Sequence, residues 1–164
     1  MKNKVILIVL LVIVVVNFVL IFNYLKPSLS GSLVFDNFNR NPVETGFVSK
    51  VIDGDTVVIK GGSVRLLGMD TAEKGEDCFK EAKERLEELI LDKEVILERD
   101  VNDKDQYKRL LRWIFIDDKN INLVMVEEGL AIARFYEDKK YKNDIIGAEK
   151  KARSEKIGCK WRNL

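Results

Sequence analysis

Residues 51 to 73 read VIDGDTVVIKGGSVRLLGMDTAE, a segment in which short apolar runs alternate with turn residues. The runs at 56–60 and 63–68 are separated by a Gly-Gly pair, which is a strong signal for a β-hairpin. A further run at 46–52 reads as the strand before them. The segment therefore predicts three consecutive strands of an antiparallel sheet.

The chain beyond residue 73 alternates between helix-like and strand-like patterns. Apolar residues recur at helical spacing from 79 to 91, with charges between them, which predicts an amphipathic helix. Asparagine is a favoured first residue for a helix, so a short helix is expected to begin at Asn120 or Asn122 and to end at Gly129. With strands at 94–99 and 109–116 and a last helix at 143–156, the order predicts an α+β domain, a small antiparallel barrel or sheet with helices.

The N-terminal residues form a separate segment. Residues 5–24 are apolar except for two asparagines, and lysines flank them on both sides. About 20 helical residues span roughly 30 Å, the thickness of a bilayer core. We therefore expect a transmembrane anchor at residues 1–25, with the domain outside the cytoplasm, and a linker at 26–45. The alternative is a cleaved signal peptide, which would give a secreted protein.

Charge and composition restrict the chemistry. The chain has 28 basic residues, 27 acidic residues and no histidine. The near-neutral balance argues against a domain that coats nucleic acid by counterion release alone. Without histidine, chemistry near neutral pH must rest on carboxylates, arginine, lysine, tyrosine, cysteine or a metal. Any binding of nucleic acid is therefore expected to be local, on one basic face with a bound cation.

Carboxylates and arginines are concentrated in residues 51–73 and in a later motif, DQYKRLL, at 105–111. Asp55 and Asp70 each fall at the end of a predicted strand, and Arg65 lies in an otherwise apolar one, where a guanidinium needs a partner or a ligand. Such a cluster suits phosphoryl chemistry assisted by calcium or magnesium. Taken singly, the Asp-Gly-Asp could be an ordinary turn and Arg65 an outward-facing strand residue.

Five motifs together resemble the thermonuclease family, the calcium-dependent staphylococcal-nuclease-like enzymes. The resemblance spans residues 46–161 and implies a nuclease domain there, folded as a five-stranded OB-type β-barrel with three helices. It also implies a calcium-dependent endonuclease that hydrolyses single-stranded or unpaired DNA and RNA to products with 3′-phosphates, and we expect a monomer. The motifs are VIDGDT at 51–56, RLLGMDTAE at 65–73, CFKEA at 78–82, DQYKR at 105–109 and EEGLA at 127–131.

The same resemblance implies a role for each site residue. Asp55, Asp70 and the backbone carbonyl of Thr71 would bind Ca²⁺. Asp53 would support these ligands without binding the metal itself. The residues implied to act on the substrate are the phosphate clamps Arg65 and Arg109, the water-positioning carboxylate Glu73, the phosphate neighbour Tyr107, and a base-stacking ring from Phe135 or Tyr136, either of which could equally be a core residue.

Three positions depart from the family pattern. Ala72 replaces a usual proline, which would leave the loop that holds Glu73 less rigid. Lys108 replaces a usual glycine, at a cost of about 1 kcal/mol if the turn needs positive φ. Gln106 stands where the best-known member has a phosphate-binding lysine. None of the three removes a metal ligand, a phosphate clamp or Glu73.

Two cysteines, Cys78 and Cys159, suit an extracytoplasmic chain with one possible disulfide, although two unpaired thiols remain an open alternative. The function also has alternatives. A non-catalytic OB-type module could hold nucleic acid or protein without cutting it, and an envelope protein could merely bind calcium. The presence of both arginines together with Glu73 favours the enzyme.

Overall fold

The computed structural model describes Asn17 and residues 44–163. The predicted anchor at residues 1–25, apart from Asn17, and nearly all of the predicted linker lie outside the described residues. Among the residues that are described, no helix has the length and apolar character needed to cross a membrane.

Five strands close into a barrel, as in the OB-type fold. In hydrogen-bonded order they are β3 (Gly62–Leu66), β2 (Thr56–Ile59), β1 (Glu44–Val51), β5 (Glu94–Glu98) and β6 (Leu110–Ile116). A parallel pairing of β3 with β6 joins the two ends. The prediction of a five-stranded α+β barrel is confirmed. Within residues 44–163 the strands are β1 (Glu44–Val51), β2 (Thr56–Ile59), β3 (Gly62–Leu66), β4 (Met69–Asp70), β5 (Glu94–Glu98), β6 (Leu110–Ile116), β7 (Lys119–Asn120) and β8 (Ile132–Ala133), of which the two-residue strands were not predicted.

Three helices pack on the barrel, and a fourth of one turn follows them. They are α1 (Phe79–Ile90), α2 (Ile121–Glu127), α3 (Lys142–Ser154) and α4 (Gly158–Trp161). The helix α1 forms because Ala82, Leu86 and Ile90 repeat every four residues and so lie on one face. All three are fully buried against the barrel, whose core also contains the fully buried Trp113.

Two asparagines at the start of α2 have different structural roles. Asn120 is the N-terminal cap, because its side chain accepts a hydrogen bond from the Leu123 N–H at 3.2 Å. Asn122 is instead fully buried, and its amide side chain bonds only to backbone groups of other elements. The sequence had left both residues as candidates for the cap.

A disulfide joins Cys78, directly before α1, to Cys159 in α4, with 5.3 Å between the two Cα atoms. This pairing was one of the two alternatives left by the sequence. The same C-terminal region contacts the end of α2 through Gly129, where φ is 64° and the backbone of Ile157 and Gly158 leaves no room for a Cβ. The disulfide and this close approach hold the C-terminal segment to the barrel.

Candidate functional site

Closure of the barrel brings the motif residues together. In the parallel pairing of β3 with β6, Arg65 lies opposite Leu111, and Arg109 immediately precedes β6. The turn before β2 reaches the same place because Gly54 has no side chain. A Cβ at Gly54 would lie 2.8 Å from atoms of both Thr71 and Ala82. The next residue, Asp55, is therefore held directly against Thr71.

Asp55 is the most thoroughly bonded carboxylate of the site. Its Oδ2 accepts hydrogen bonds from the backbone N–H and the hydroxyl of Thr71, both at 3.0 Å. Its Oδ1 accepts from the Thr56 hydroxyl at 3.0 Å and forms an ion pair with Arg65 Nη1. The Asp55 N–H in turn donates to Asp53 Oδ1 at 3.0 Å, so Asp53 orients the turn.

Burial dominates the electrostatics of Asp55, whose residue is 2% exposed. Burial raises the pKa of this carboxyl to about 6, although the nearby Arg65 guanidinium lowers it, and the neighbouring Asp53 adds to the increase. One guanidinium therefore does not fully compensate the buried negative charge. A site of this kind favours additional positive charge.

Asp70 lies between two arginines. Arg65 Nη2 donates to Asp70 Oδ1 at 2.5 Å, and Arg134 Nη1 donates to Asp70 Oδ2 at 2.8 Å. Arg65 thus bridges the carboxylates of Asp55 and Asp70, and the three side chains form one ion-pair network. Arg134 directly follows β8, and β8 pairs with β4, the strand that contains Asp70. This pairing brings Arg134 into the network. The sequence analysis missed Arg134, which belongs to none of the five motifs.

Arg109 reaches the same network through Thr56, whose hydroxyl bonds to Asp55. Its Nε donates to Asp105 Oδ2 at 2.7 Å, its backbone N–H donates to Asp105 Oδ1 at 3.0 Å, and its Nη1 lies 3.5 Å from the Thr56 hydroxyl. Partial burial acts to raise the pKa of Asp105, but the bonds from Arg109 outweigh it and lower that pKa. The turn contains Lys108 at a φ of 66°. This is the strained positive-φ conformation expected at a position where the family usually has glycine.

The two phosphate-clamp candidates are both accessible, with side chains 18% exposed at Arg65 and 28% exposed at Arg109. The guanidinium of Arg109 lies 5.4 Å from the centroid of the Tyr107 ring, which is itself highly exposed. The structure thus brings together five predicted site residues: Asp55, Asp70, Thr71, Arg65 and Arg109.

Glu73 lies apart from this network. It is exposed in the loop before α1, where its backbone N–H donates to the Glu76 carboxylate at 2.8 Å. No hydrogen bond or ion pair joins the Glu73 carboxylate to any side chain within residues 44–163. Its carboxylate is therefore available to water.

The two candidate stacking rings differ in exposure. Phe135 is partly buried and packs against the hydrophobic core. Tyr136 is 71% exposed, and its hydroxyl accepts a hydrogen bond from Arg134 Nε at 3.0 Å. Of the two rings, that of Tyr136 is the more exposed and therefore the more accessible to a ligand.

The candidate ligand set suits calcium. The candidate ligands Asp55, Asp70 and the Thr71 carbonyl offer only oxygen atoms, which is the donor type that calcium requires. Two carboxylates bridged by one guanidinium lie close enough to share a cation, and burial of Asp55 favours one. The described residues contain no cluster of three or more His, Cys, Asp or Glu side chains that could hold a metal. A cation here would therefore depend on two carboxylates, a carbonyl and water.

Comparison with known proteins identifies the family of the chain. Residues 63–163 match the family described as staphylococcal nuclease homologue. The chain belongs to this family. Among its relatives, a thermonuclease of Staphylococcus intermedius is 35% identical over 125 residues, covering 70% of this chain and 74% of the relative.

Two further members of the family are similar over comparable lengths. A thermonuclease of Staphylococcus hyicus is 30% identical over 162 residues, which cover 92% of this chain and 95% of the relative. The endonuclease YncB of Bacillus subtilis is 34% identical over 132 residues, covering 73% and 63% respectively. The family resemblance predicted from the motifs is confirmed.

Proposed function

We propose that this chain is a calcium-dependent nuclease that hydrolyses phosphodiester bonds of DNA and RNA and leaves 3′-phosphates. Relatives named thermonuclease and endonuclease support the nuclease activity. The observation that carries the proposal is the Arg65 bridge between Asp55 and Asp70, with Arg109 beside it. Two carboxylates and two accessible arginines are the groups that a phosphodiester and a hard cation need.

The arginines would bind and polarise the scissile phosphate. A guanidinium matches two phosphate oxygens with parallel N–H bonds, and such charge-assisted bonds are stronger than neutral ones. Arg65 and Arg109 would exchange part of their carboxylate contacts for these bonds. Because negative charge grows on the phosphoryl oxygens as water attacks, their contribution should be largest in the transition state.

Asp55, Asp70 and the Thr71 carbonyl would hold the calcium. When bound, calcium would supply positive charge for the phosphoryl oxygens. The chain's own part is to keep these oxygens in place: the Thr71 N–H and hydroxyl fix Asp55, and Asp53 fixes the turn that presents it.

Glu73 would position the attacking water. Its exposed carboxylate makes no ion pair with any described side chain, so its oxygens can accept hydrogen bonds from water. In the proposed reaction the oxygen of this water bonds to phosphorus, the bond to the 5′-oxygen breaks, and the phosphate stays on the 3′-oxygen. The buried Ala72 stands before Glu73 in place of the family's proline.

A non-catalytic OB-type module that holds nucleic acid is the second candidate function. The exposed rings of Tyr107 and Tyr136 would suit either function, because a base can stack on an exposed aromatic ring without being cut from its strand. The two functions differ in what Arg109 and Glu73 do. Binding alone does not require a water-positioning carboxylate, whereas hydrolysis does.

We further propose that the domain lies outside the cytoplasm and is anchored by the apolar segment at residues 5–24. The Cys78–Cys159 disulfide supports this location, because disulfides persist in oxidising compartments. The mature protein should keep its N-terminus and sediment with membranes. Secreted protein that begins near Gly31 would instead support the cleaved signal peptide.

The experiment that tests the nuclease is incubation of the full-length protein with single-stranded DNA and, separately, with RNA. Each is tested with calcium and then with excess chelator. Cleavage should require calcium, and the product ends should become extendable by a polymerase only after phosphatase treatment. Full activity in chelator would overturn the metal requirement, and intact strands in calcium would favour the binding module.

A further inference from the structure

Two arginine–tyrosine pairs lie at opposite ends of one line of contacts through the site. At one end Arg109 lies 5.4 Å from the Tyr107 ring centroid, and at the other Arg134 lies 5.8 Å from that of Tyr136. Both tyrosines are 71% exposed. In order, the contacts join Tyr107, Arg109, Thr56, Asp55, Arg65, Asp70, Arg134 and Tyr136.

Arg134 differs from an arginine that serves the fold. The Arg112 side chain is 4% exposed and is held by Glu44, Asp103 and two backbone carbonyls. Arg134 is 52% exposed, and its hydrogen-bond partners within residues 44–163 are Asp70, through Nη1, and Tyr136, through Nε. Its Nη2 group makes no hydrogen bond to the described part of the chain.

The ion pair between Arg134 and Asp70 can be exchanged at small cost. The Arg134 side chain is 52% exposed and that of Asp70 is 21% exposed, and ion pairs that water reaches contribute little to stability. A phosphate offers the same guanidinium two oxygens and a higher charge. The hydrogen bond that Nε donates to the Tyr136 hydroxyl would keep the guanidinium at the edge of the site during the exchange.

We propose that Arg134 is a third phosphate-binding arginine, which exchanges its contact with Asp70 for a backbone phosphate of the bound strand. This phosphate is a different one from that held by Arg65 and Arg109, because Arg134 joins the network at Asp70, whereas Arg109 joins it through Thr56 beside Asp55. The inference rests on the proposed function for its substrate. It assigns Arg134 to substrate binding and leaves the bond-breaking step to the residues named above.

The matched control is Arg162, whose side chain is 53% exposed and which pairs with one carboxylate, Glu81. Arg162→Ala removes the same charge and the same kind of surface ion pair as Arg134→Ala. Arg134→Lys keeps the charge but removes the planar fork. Any effect specific to Arg134→Ala therefore belongs to its position at the site.

The first measurement is equilibrium binding of a fluorescent thymidine oligonucleotide to the full-length protein in chelator, over a range of sodium chloride concentrations. Arg134→Ala should weaken binding about tenfold, as expected for losing a hydrogen-bonded charge contact. The slope of the logarithm of the binding constant against the logarithm of the salt concentration should become shallower by about 0.7. This is the value for one phosphate contact on a single strand. Arg134→Lys should keep most of the slope, and Arg162→Ala should match the wild type.

The second measurement locates the phosphate. Oligonucleotides with a single neutral methylphosphonate linkage, placed at each position in turn, are compared on wild type and Arg134→Ala. At one linkage the wild type and Arg134→Ala should bind with the same reduced affinity, because the neutral linkage already removes the phosphate that Arg134 would contact. A tenfold difference that persists at every linkage would overturn the proposal.

Kinetics distinguishes this inference from the proposed function. In calcium, Arg134→Ala should raise KM about tenfold and leave kcat within about twofold. Loss of kcat at unchanged KM, or a melting temperature far below that of Arg162→Ala, would overturn the binding role. Wild-type protein that binds but does not cut, with weaker binding by Arg134→Ala, would refute the nuclease and keep the inference. Wild-type protein that neither binds nor cuts would refute both.

Discussion

Replacing Asn122 by alanine should lower the free energy of unfolding by about 2–6 kcal/mol, because two buried backbone groups would lose their partners. The Asn122 side chain accepts a hydrogen bond from the Ile114 N–H at 2.9 Å. It donates to the carbonyls of Leu67 at 2.9 Å and of Arg112 at 3.2 Å. It therefore ties α2 to β6 and to the residue after β3, at the seam that closes the barrel.

The magnitude follows from counting the groups left without a partner. The Arg112 carbonyl keeps a second donor, the Leu67 N–H at 3.0 Å, so it stays satisfied. The Ile114 N–H and the Leu67 carbonyl lose the bond to Asn122, and each buried unsatisfied group costs about 1–3 kcal/mol. The whole free energy of unfolding of a domain of this size is only about 5–15 kcal/mol. The variant should therefore be strongly destabilised.

The assay is urea unfolding followed by tryptophan fluorescence, to which the buried Trp113 contributes. Asn120→Ala is the matched control, because it removes the same side chain two residues earlier and costs only a helix cap, about 1 kcal/mol. Asn122→Ala should lower the urea midpoint well beyond this control. Equal midpoints for the two variants would refute the account of Asn122 as a buried tie.

Three further predictions concern the site and the disulfide. Asp55→Ala should abolish hydrolysis, since it removes a candidate calcium ligand; activity near wild type would contradict the metal assignment. Arg109→Ala should lower turnover by orders of magnitude, and Glu73→Gln should slow it while nucleotide affinity and melting temperature stay near wild type. Unchanged turnover in both would favour the binding module, and a collapse in melting temperature would mean that these side chains serve the fold. Replacing Cys78 and Cys159 by serine should cost about 2–4 kcal/mol, measured by urea unfolding, and a non-reducing gel without a mobility change on reduction would contradict the bond.

Local patterns in the sequence were sufficient for most of the barrel. The Gly-Gly pair at 61–62 predicted the turn between β2 and β3, and the four-residue spacing of Ala82, Leu86 and Ile90 predicted α1. These signals act over a few residues, so they can be read without the rest of the fold. The short strand β4 was missed because its two residues carry no periodic pattern.

The candidate site was predictable where its residues lie in motifs and was missed where they do not. The motifs alone identified Asp55, Asp70, Arg65 and Arg109 as candidates. Arg134 belongs to no motif, and it reaches Asp70 only because β4 pairs with β8, residues far apart in the chain. The exposure of Tyr136 and the burial of Phe135 likewise depend on what packs around them.

The family, the order of the elements and the residue types available for phosphate chemistry could all be predicted from the amino-acid sequence. They could be predicted because they are properties of local order and composition. The tertiary structure alone decided which side chains meet. It set Asn120 as a cap and Asn122 as a buried tie, paired Cys78 with Cys159, and placed Arg134 on Asp70. Apart from the cap at Asn120, these contacts join residues far apart in the chain, and no local pattern encodes which distant segments pack together.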